Sequence, residues 1–170
     1  MRNRFFTAST IIAVLAVCAV LPRAGSAQDV GLEIGAAPAA VTVANLDGQP
    51  VDFAQFVGKK PVVLEFWATW CEPCDRQIPH LNRWHQQYAD KGLAIVALSD
   101  EEPDQLRKYA KEARLTYPIA TDPDDRVRSL YLVSGLPTTI LIDKTGVVRY
   151  VAIGSVKPSE LEAQFTRLMR

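Results

Sequence analysis

Apolar residues are distributed along this chain in two regimes. From Phe5 to Pro22 there is no charge at all, and Ile11 to Leu21 is apolar throughout. From Val41 onward apolar and polar positions instead trade places in short segments. Val41 to Leu46 alternates, Asp47-Gly48 is a turn dipeptide and Val51-Asp52-Phe53 resumes the alternation, which predicts a β-hairpin. Pro61 to Trp67 is a nearly continuous apolar run, the pattern of a strand covered on both faces, and a single acid, Glu65, interrupts it. Cys74, Ile78, Leu81, His85 and Tyr88 recur at helical spacing, with a kink expected at Pro79 and a stop at Gly92. Leu93 to Leu98 predicts a second buried strand, and a helix follows from near Pro103 to about Ala113. Next come an extended Tyr117–Ala120 and a helix from Asp122-Pro123 to Tyr131, with Asp122 as its N-cap. Thr138 to Asp143 and Val147 to Val151 flank a Lys144-Thr145-Gly146 turn as an antiparallel pair, and a final helix from about Pro158 to Met169 buries Leu161, Phe165 and Leu168. Strands alternating with helices imply a parallel sheet, here with an antiparallel edge.

Composition narrows the function classes. In 170 residues, 19 basic and 19 acidic side chains cancel without long runs of one sign, so nothing points to nucleic acid as a partner. The charge-free segment follows Arg2 and Arg4 and precedes the small residues Gly25-Ser26-Ala27, the arrangement of a secretory leader, residues 1–27, cut after Ala27. Cleavage removes three of the 19 basic residues and no acid, for a net charge of −3. The same stretch, 5–22, also admits an uncleaved anchor in the inner membrane, the chain's single membrane contact. Both readings export residues 41–170, behind a linker of residues 28–40, to the periplasm or cell envelope, where paired thiols oxidise unless a reductant is supplied.

Of three cysteines, Cys18 lies in the leader, while Cys71 and Cys74 form a C-x-x-C at the exit of a buried strand and the entry of a helix. A helix N-terminus presents unpaired N–H groups that stabilise a thiolate, which makes Cys71 the nucleophile candidate. Cys74, three residues on, shares its face and can resolve a mixed disulfide on Cys71.

The Trp-Cys-x-x-Cys block, the apolar strand before it, Pro79 and Gly135-Leu136-Pro137-Thr138 resemble the thioredoxin superfamily. More narrowly, Trp67-Ala68-Thr69-Trp70-Cys71, the leading hairpin, the stretch from Leu93 to Ala113 and Pro137 to Asp143 followed by Gly146 resemble the exported TlpA-like thiol-disulfide oxidoreductases, over the whole exported domain. The resemblance implies a thioredoxin-like α/β fold: a central mixed β-sheet flanked by helices, with an N-terminal hairpin and an extra strand-helix insert. It implies a cis-proline at Pro137 against the cysteine pair, a substrate-pairing backbone at Leu136, and a substrate surface completed by Trp70, Glu72 and Pro73. It implies no cofactor and no metal. Clients would be proteins with disulfides, apocytochrome c among them, and a transmembrane thiol reductase would donate electrons.

Two positions depart from that group. Glu65 stands where many relatives are neutral and where cytosolic thioredoxins carry a buried acid, whereas Gln77 stands where relatives often carry glutamate. Glu65 is therefore expected to be buried beneath the pair and to exchange the proton of Cys74. Glu72 is expected to oppose thiolate formation on Cys71 and to tilt the pair toward a reductant. Competing readings are a thiol peroxidase, although Thr69 is two residues before Cys71 where the peroxidase pattern has three, and a metal-delivery or binding module of Cys71, Cys74 and a histidine such as His80 or His85. Haem attachment would need histidine directly after Cys74, where Asp75 stands.

Overall fold

The computed structural model describes residues 33–170. Its core is a seven-stranded mixed sheet in the order β2-β1-β5-β4-β3-β6-β7. Strand β1 (Thr42–Asn45) and β2 (Pro50–Asp52) form the expected hairpin around Gly48, whose φ of 76° fits only a residue without a Cβ penalty. Strands β3 (Val62–Phe66), β4 (Ala94–Ser99) and β5 (Ile119–Thr121) run parallel, while β6 (Thr138–Ile142) and β7 (Val148–Ile153) add on antiparallel beside β3. β3 lies between β4 and β6, so all five of its residues are buried and the apolar run has its explanation.

Side-chain alternation on β3 divides the core. Val63 and Trp67 face one side, against Leu81 and Trp84 of helix α2 (Ile78–Tyr88), Leu106 of α3 (Pro103–Glu112), and Leu161 and Phe165 of α5 (Pro158–Leu168). Val62, Leu64 and Phe66 face the other, against Val43, Phe53, and Val127 and Tyr131 of and beside helix α4 (Arg126–Leu130). α2 is docked to α5 by Trp84, whose ring stacks on Phe165 at 3.9 Å and 7° and whose Nε1–H donates to Glu162 at 3.2 Å. Leu168 is half-buried rather than a core residue.

Three boundaries differ from the sequence reading. The helix carrying the cysteines is broken in two, α1 (Glu72–Asp75) and α2, and Pro79 falls in the first turn of α2, where its missing N–H costs no hydrogen bond, instead of kinking a continuous helix. The stop at Gly92 is where the sequence places it, in the left-handed region at φ 95° after a 3-10 turn at Ala89–Lys91. α4 begins at Arg126 and not at Pro123, because Asp125 turns the chain at φ 53°; the Asp122 carboxylate still caps it, accepting from the Val127 and Arg128 N–H groups at 2.8 and 2.9 Å. The stretch read as linker is pinned from Gly35 onward. The Gly35 N–H donates to Val148, Val148 donates back to Ala36, and Ala39 is buried with its carbonyl accepting from the Tyr131 hydroxyl. The leader and the apolar stretch 5–22 lie outside the described residues. Among the described residues no helix is long and apolar enough to cross a membrane.

Candidate active site

β3 ends at Phe66, and the chain crosses Trp67 to Trp70 before Cys71 becomes the N-cap of α1. Cys71 and Cys74 are joined in a disulfide, with Cα atoms 5.2 Å apart. Both are buried, at 4% and 3% exposure, so accessibility does not rank them as nucleophiles. The hydrogen bonding does: the Cys74 N–H donates to Cys71 Sγ at 3.3 Å, a donor that favours a thiolate on Cys71. With α1 only four residues long, stabilisation of a thiolate on Cys71 would come from this local N–H rather than from a long helix dipole.

Glu72 and Pro73 lie between the cysteines. Glu72 is exposed and paired with Arg76, the next turn along, so its charge is compensated and screened by solvent. The expected repulsion of a Cys71 thiolate by Glu72 is weakened accordingly. Trp70 is 69% exposed beside Cys71, whereas Trp67 is buried against Tyr109, ring centroids 5.5 Å apart. Leu136, half-buried, packs against the core cluster that contains both cysteines, and the Leu136–Pro137 peptide is cis. The carbonyl of buried Pro137 accepts from the Gly154 N–H at 2.7 Å, fixing this loop to the end of β7.

Glu65 is 2% exposed, on the β3 face shared with Val63 and Trp67, hence on the cysteine side of the sheet. Burial pushes its carboxyl up to about 8, only partly offset by the Thr139 hydroxyl, which donates to Oε2 at 2.6 Å. Oε1 is buried and finds no hydrogen-bond partner among the described residues. Thr139 stands directly opposite Glu65 in the β3–β6 ladder, and its hydroxyl also lies 3.1 Å from Oε1 of buried Gln77.

A second carboxylate was not singled out from the sequence. Glu101 receives the Thr69 N–H at 2.7 Å, the Thr69 hydroxyl at 2.6 Å, the Ser99 hydroxyl at 3.1 Å and the Gln105 amide at 2.6 Å. It thereby ties the loop preceding Cys71 to the end of β4 and the start of α3. In the sequence Glu101 sits within Asp100-Glu101-Glu102 and reads as a solvated acidic turn. His80 is half-buried, its Nδ1 3.0 Å from Arg83 and 3.8 Å from Glu162.

Residues 34–151 match the AhpC/TSA family model. The chain belongs to the AhpC/TSA family. Within that family it is 32% identical, over 170 residues and 98% of each chain, to the thiol-disulfide oxidoreductase ResA of Bacillus cereus. It is 33% identical to the thioredoxin-like protein YneN of Bacillus subtilis over 81% of each chain. A solved structure from Chlorobium tepidum, described as a DsbE thiol:disulfide interchange protein, superposes with a TM-score of 0.74 at 28% identity, covering 82% of this chain and all of that one. This AhpC/TSA member has the thioredoxin-like fold, a mixed sheet flanked by helices, and is a thiol-disulfide oxidoreductase with Cys71 and Cys74 as its C-x-x-C pair.

Proposed function

We propose that this AhpC/TSA protein works outside the cytoplasm as a reductant of particular protein disulfides, with residues 1–27 as leader or 5–22 as membrane anchor. The observation that carries the reading is a redox pair on the same side of the sheet as a buried carboxyl, Glu65, with one oxygen unpartnered among the described residues. In the reduced protein the Cys71 thiolate attacks a client disulfide; a Cys71–client S–S bond forms and the first client sulfur leaves as thiolate. Cys74 gives its proton to Glu65 and attacks Cys71 Sγ, forming Cys71–Cys74 and releasing the second client sulfur as thiolate. The client gains two electrons and the enzyme loses them. An electron-donor dithiol then opens the disulfide, and Glu65, protonated in the oxidised state, returns its proton to Cys74. By family resemblance the donor is a transmembrane thiol reductase and the clients include apocytochrome c. Trp70, Pro73, Leu136 and Pro137 border the pair as the client-facing surface, with Glu72 at its edge.

The site offers less to the competing readings. The Thr69 hydroxyl, which a peroxidase would turn toward its substrate, donates to Glu101 and accepts from Gln105 at 2.9 Å. His80 is engaged with Arg83 and not with the cysteines. The test sets reduced protein against a protein disulfide and against hydrogen peroxide, with dithiothreitol as turnover reductant. Disulfide reduction is expected to be catalysed well above the dithiothreitol rate, and peroxide loss is expected to match dithiothreitol alone. Preferential consumption of peroxide would overturn the proposal.

A further inference from the structure

The Thr139 hydroxyl has one proton and two acceptors within reach, Glu65 Oε2 at 2.6 Å and Gln77 Oε1 at 3.1 Å. Which acceptor receives it depends on the charge of Glu65. With Glu65 ionised, the proton points to the carboxylate, and Gln77 Oε1 faces a lone pair. With Glu65 protonated, its O–H donates to Thr139 Oγ1 and Thr139 donates to Gln77 Oε1, so each of the three groups has a partner. The amide oxygen therefore adds a hydrogen bond to the neutral form alone.

We propose that Gln77 is a positioning residue that holds Glu65 in its protonated form by accepting the hydroxyl proton of Thr139. This rests on the reading of Glu65 as the proton carrier of the pair, and it assigns to Gln77 the task of keeping a proton in store while the disulfide is closed. The placement suits that task. Gln77 is 7% exposed, its N–H donates to the Cys74 carbonyl at 2.9 Å, and it lines a surface pocket of about 100 Å³ with Pro73 and His80. It thus stands between the buried carboxyl and solvent. Of the other titratable groups, Tyr117 before β5 feels the charge of Glu65 and in turn those of Tyr109 on α3 and Asp75 on α1, and Cys74 of α1 shares the core cluster of Tyr117. Tyr117 is held neutral by burial first and by Glu65 second, and Tyr109 donates to Asp75.

The experiment uses the full chain with the disulfide closed, so that neither cysteine of the pair titrates. The protein is labelled with ¹³C-carboxyl glutamate, and the Glu65 resonance is assigned by its loss in Glu65→Gln. Gln77→Met is titrated with Thr139 intact and again in combination with Thr139→Val, which separates the hydrogen-bond coupling from any change in burial. With Thr139 intact, the substitution is expected to move the Glu65 midpoint about 0.5 to 1 pH unit lower than it does alongside Thr139→Val. Thr139→Ser, which keeps the hydroxyl, is expected to restore the coupling, and Thr139→Ala replaces Thr139→Val if the latter does not fold. Equal shifts in both backgrounds would overturn the proposal, as would a higher midpoint with Thr139 intact, because the amide would then be donating to Thr139. Coupling together with an unchanged pH profile of exchange in Glu65→Gln would support the hydrogen-bond assignment and remove the proton-carrier reading on its own.

Discussion

Cys71→Ser is expected to lower disulfide exchange by roughly 10³-fold or more, while Cys74→Ser keeps the first chemical step and stalls after it. The asymmetry follows from the hydrogen bond between the Cys74 N–H and Cys71 Sγ, since equal burial of the two sulfurs gives neither an advantage. Without Cys71 no thiolate is stabilised at the N-cap of α1, and among the described residues the remaining Cys74 sulfur accepts no such hydrogen bond. Without Cys74 the mixed disulfide on Cys71 has no internal sulfur to resolve it. Mass spectrometry of Cys74→Ser incubated with an oxidised client should show a one-to-one covalent adduct that dithiothreitol removes. The same adduct on Cys71→Ser, and none on Cys74→Ser, would reverse the assignment of the two sulfurs.

The second large effect is a change in how stability depends on pH. Glu65 has an ordinary value of 4.5 and is pushed up to about 8 by burial. The folded protein therefore holds this proton more tightly than the unfolded chain does. A raised carboxyl contributes stability that is fully present below about 4.5 and is lost as pH rises through about 8. The full loss is roughly 5 kcal/mol, a large share of what a domain of this size possesses. Glu65→Gln removes the titration and keeps a side chain able to bond Thr139. Denaturant unfolding of the oxidised protein at pH 5, 7 and 9 should show the parent weakening across the series and the variant staying nearly flat. The two lie closest at pH 5 and furthest apart at pH 9. Parallel curves would mean that Glu65 ionises in the fold at no special cost.

Much of this architecture was legible because burial on both faces writes itself into the sequence as unbroken apolar runs. Val62–Phe66 and Ala94–Ser99 are both central and read as such, and the Asp47-Gly48 turn announces the hairpin. Glu65 was conspicuous for the same reason, as the one acid in such a run. Local signals failed where long-range packing decides. Pro79 marks a disturbance in a helix, but whether the chain kinks or breaks there depends on how α1 and α2 seat on the sheet. Thr139 looks like any β-branched strand residue, and its partners lie 74 and 62 positions away. Glu101 looks like part of a solvated turn until the fold brings it to Thr69, 32 positions away. Polar residues whose meaning comes from a distant partner leave no periodic trace.

Direction of electron flow is the central claim, and the reduction potential of the Cys71–Cys74 pair tests it most directly. The chain carrying Cys18→Ser, so that the pair alone is counted, would be equilibrated in graded dithiothreitol and glutathione buffers and its free thiols counted. A protein that reduces client disulfides, with Cys74 returned to the thiol by a proton from Glu65, should have a potential near or below about −250 mV. A value near about −120 mV, that of a strong oxidant, would contradict it.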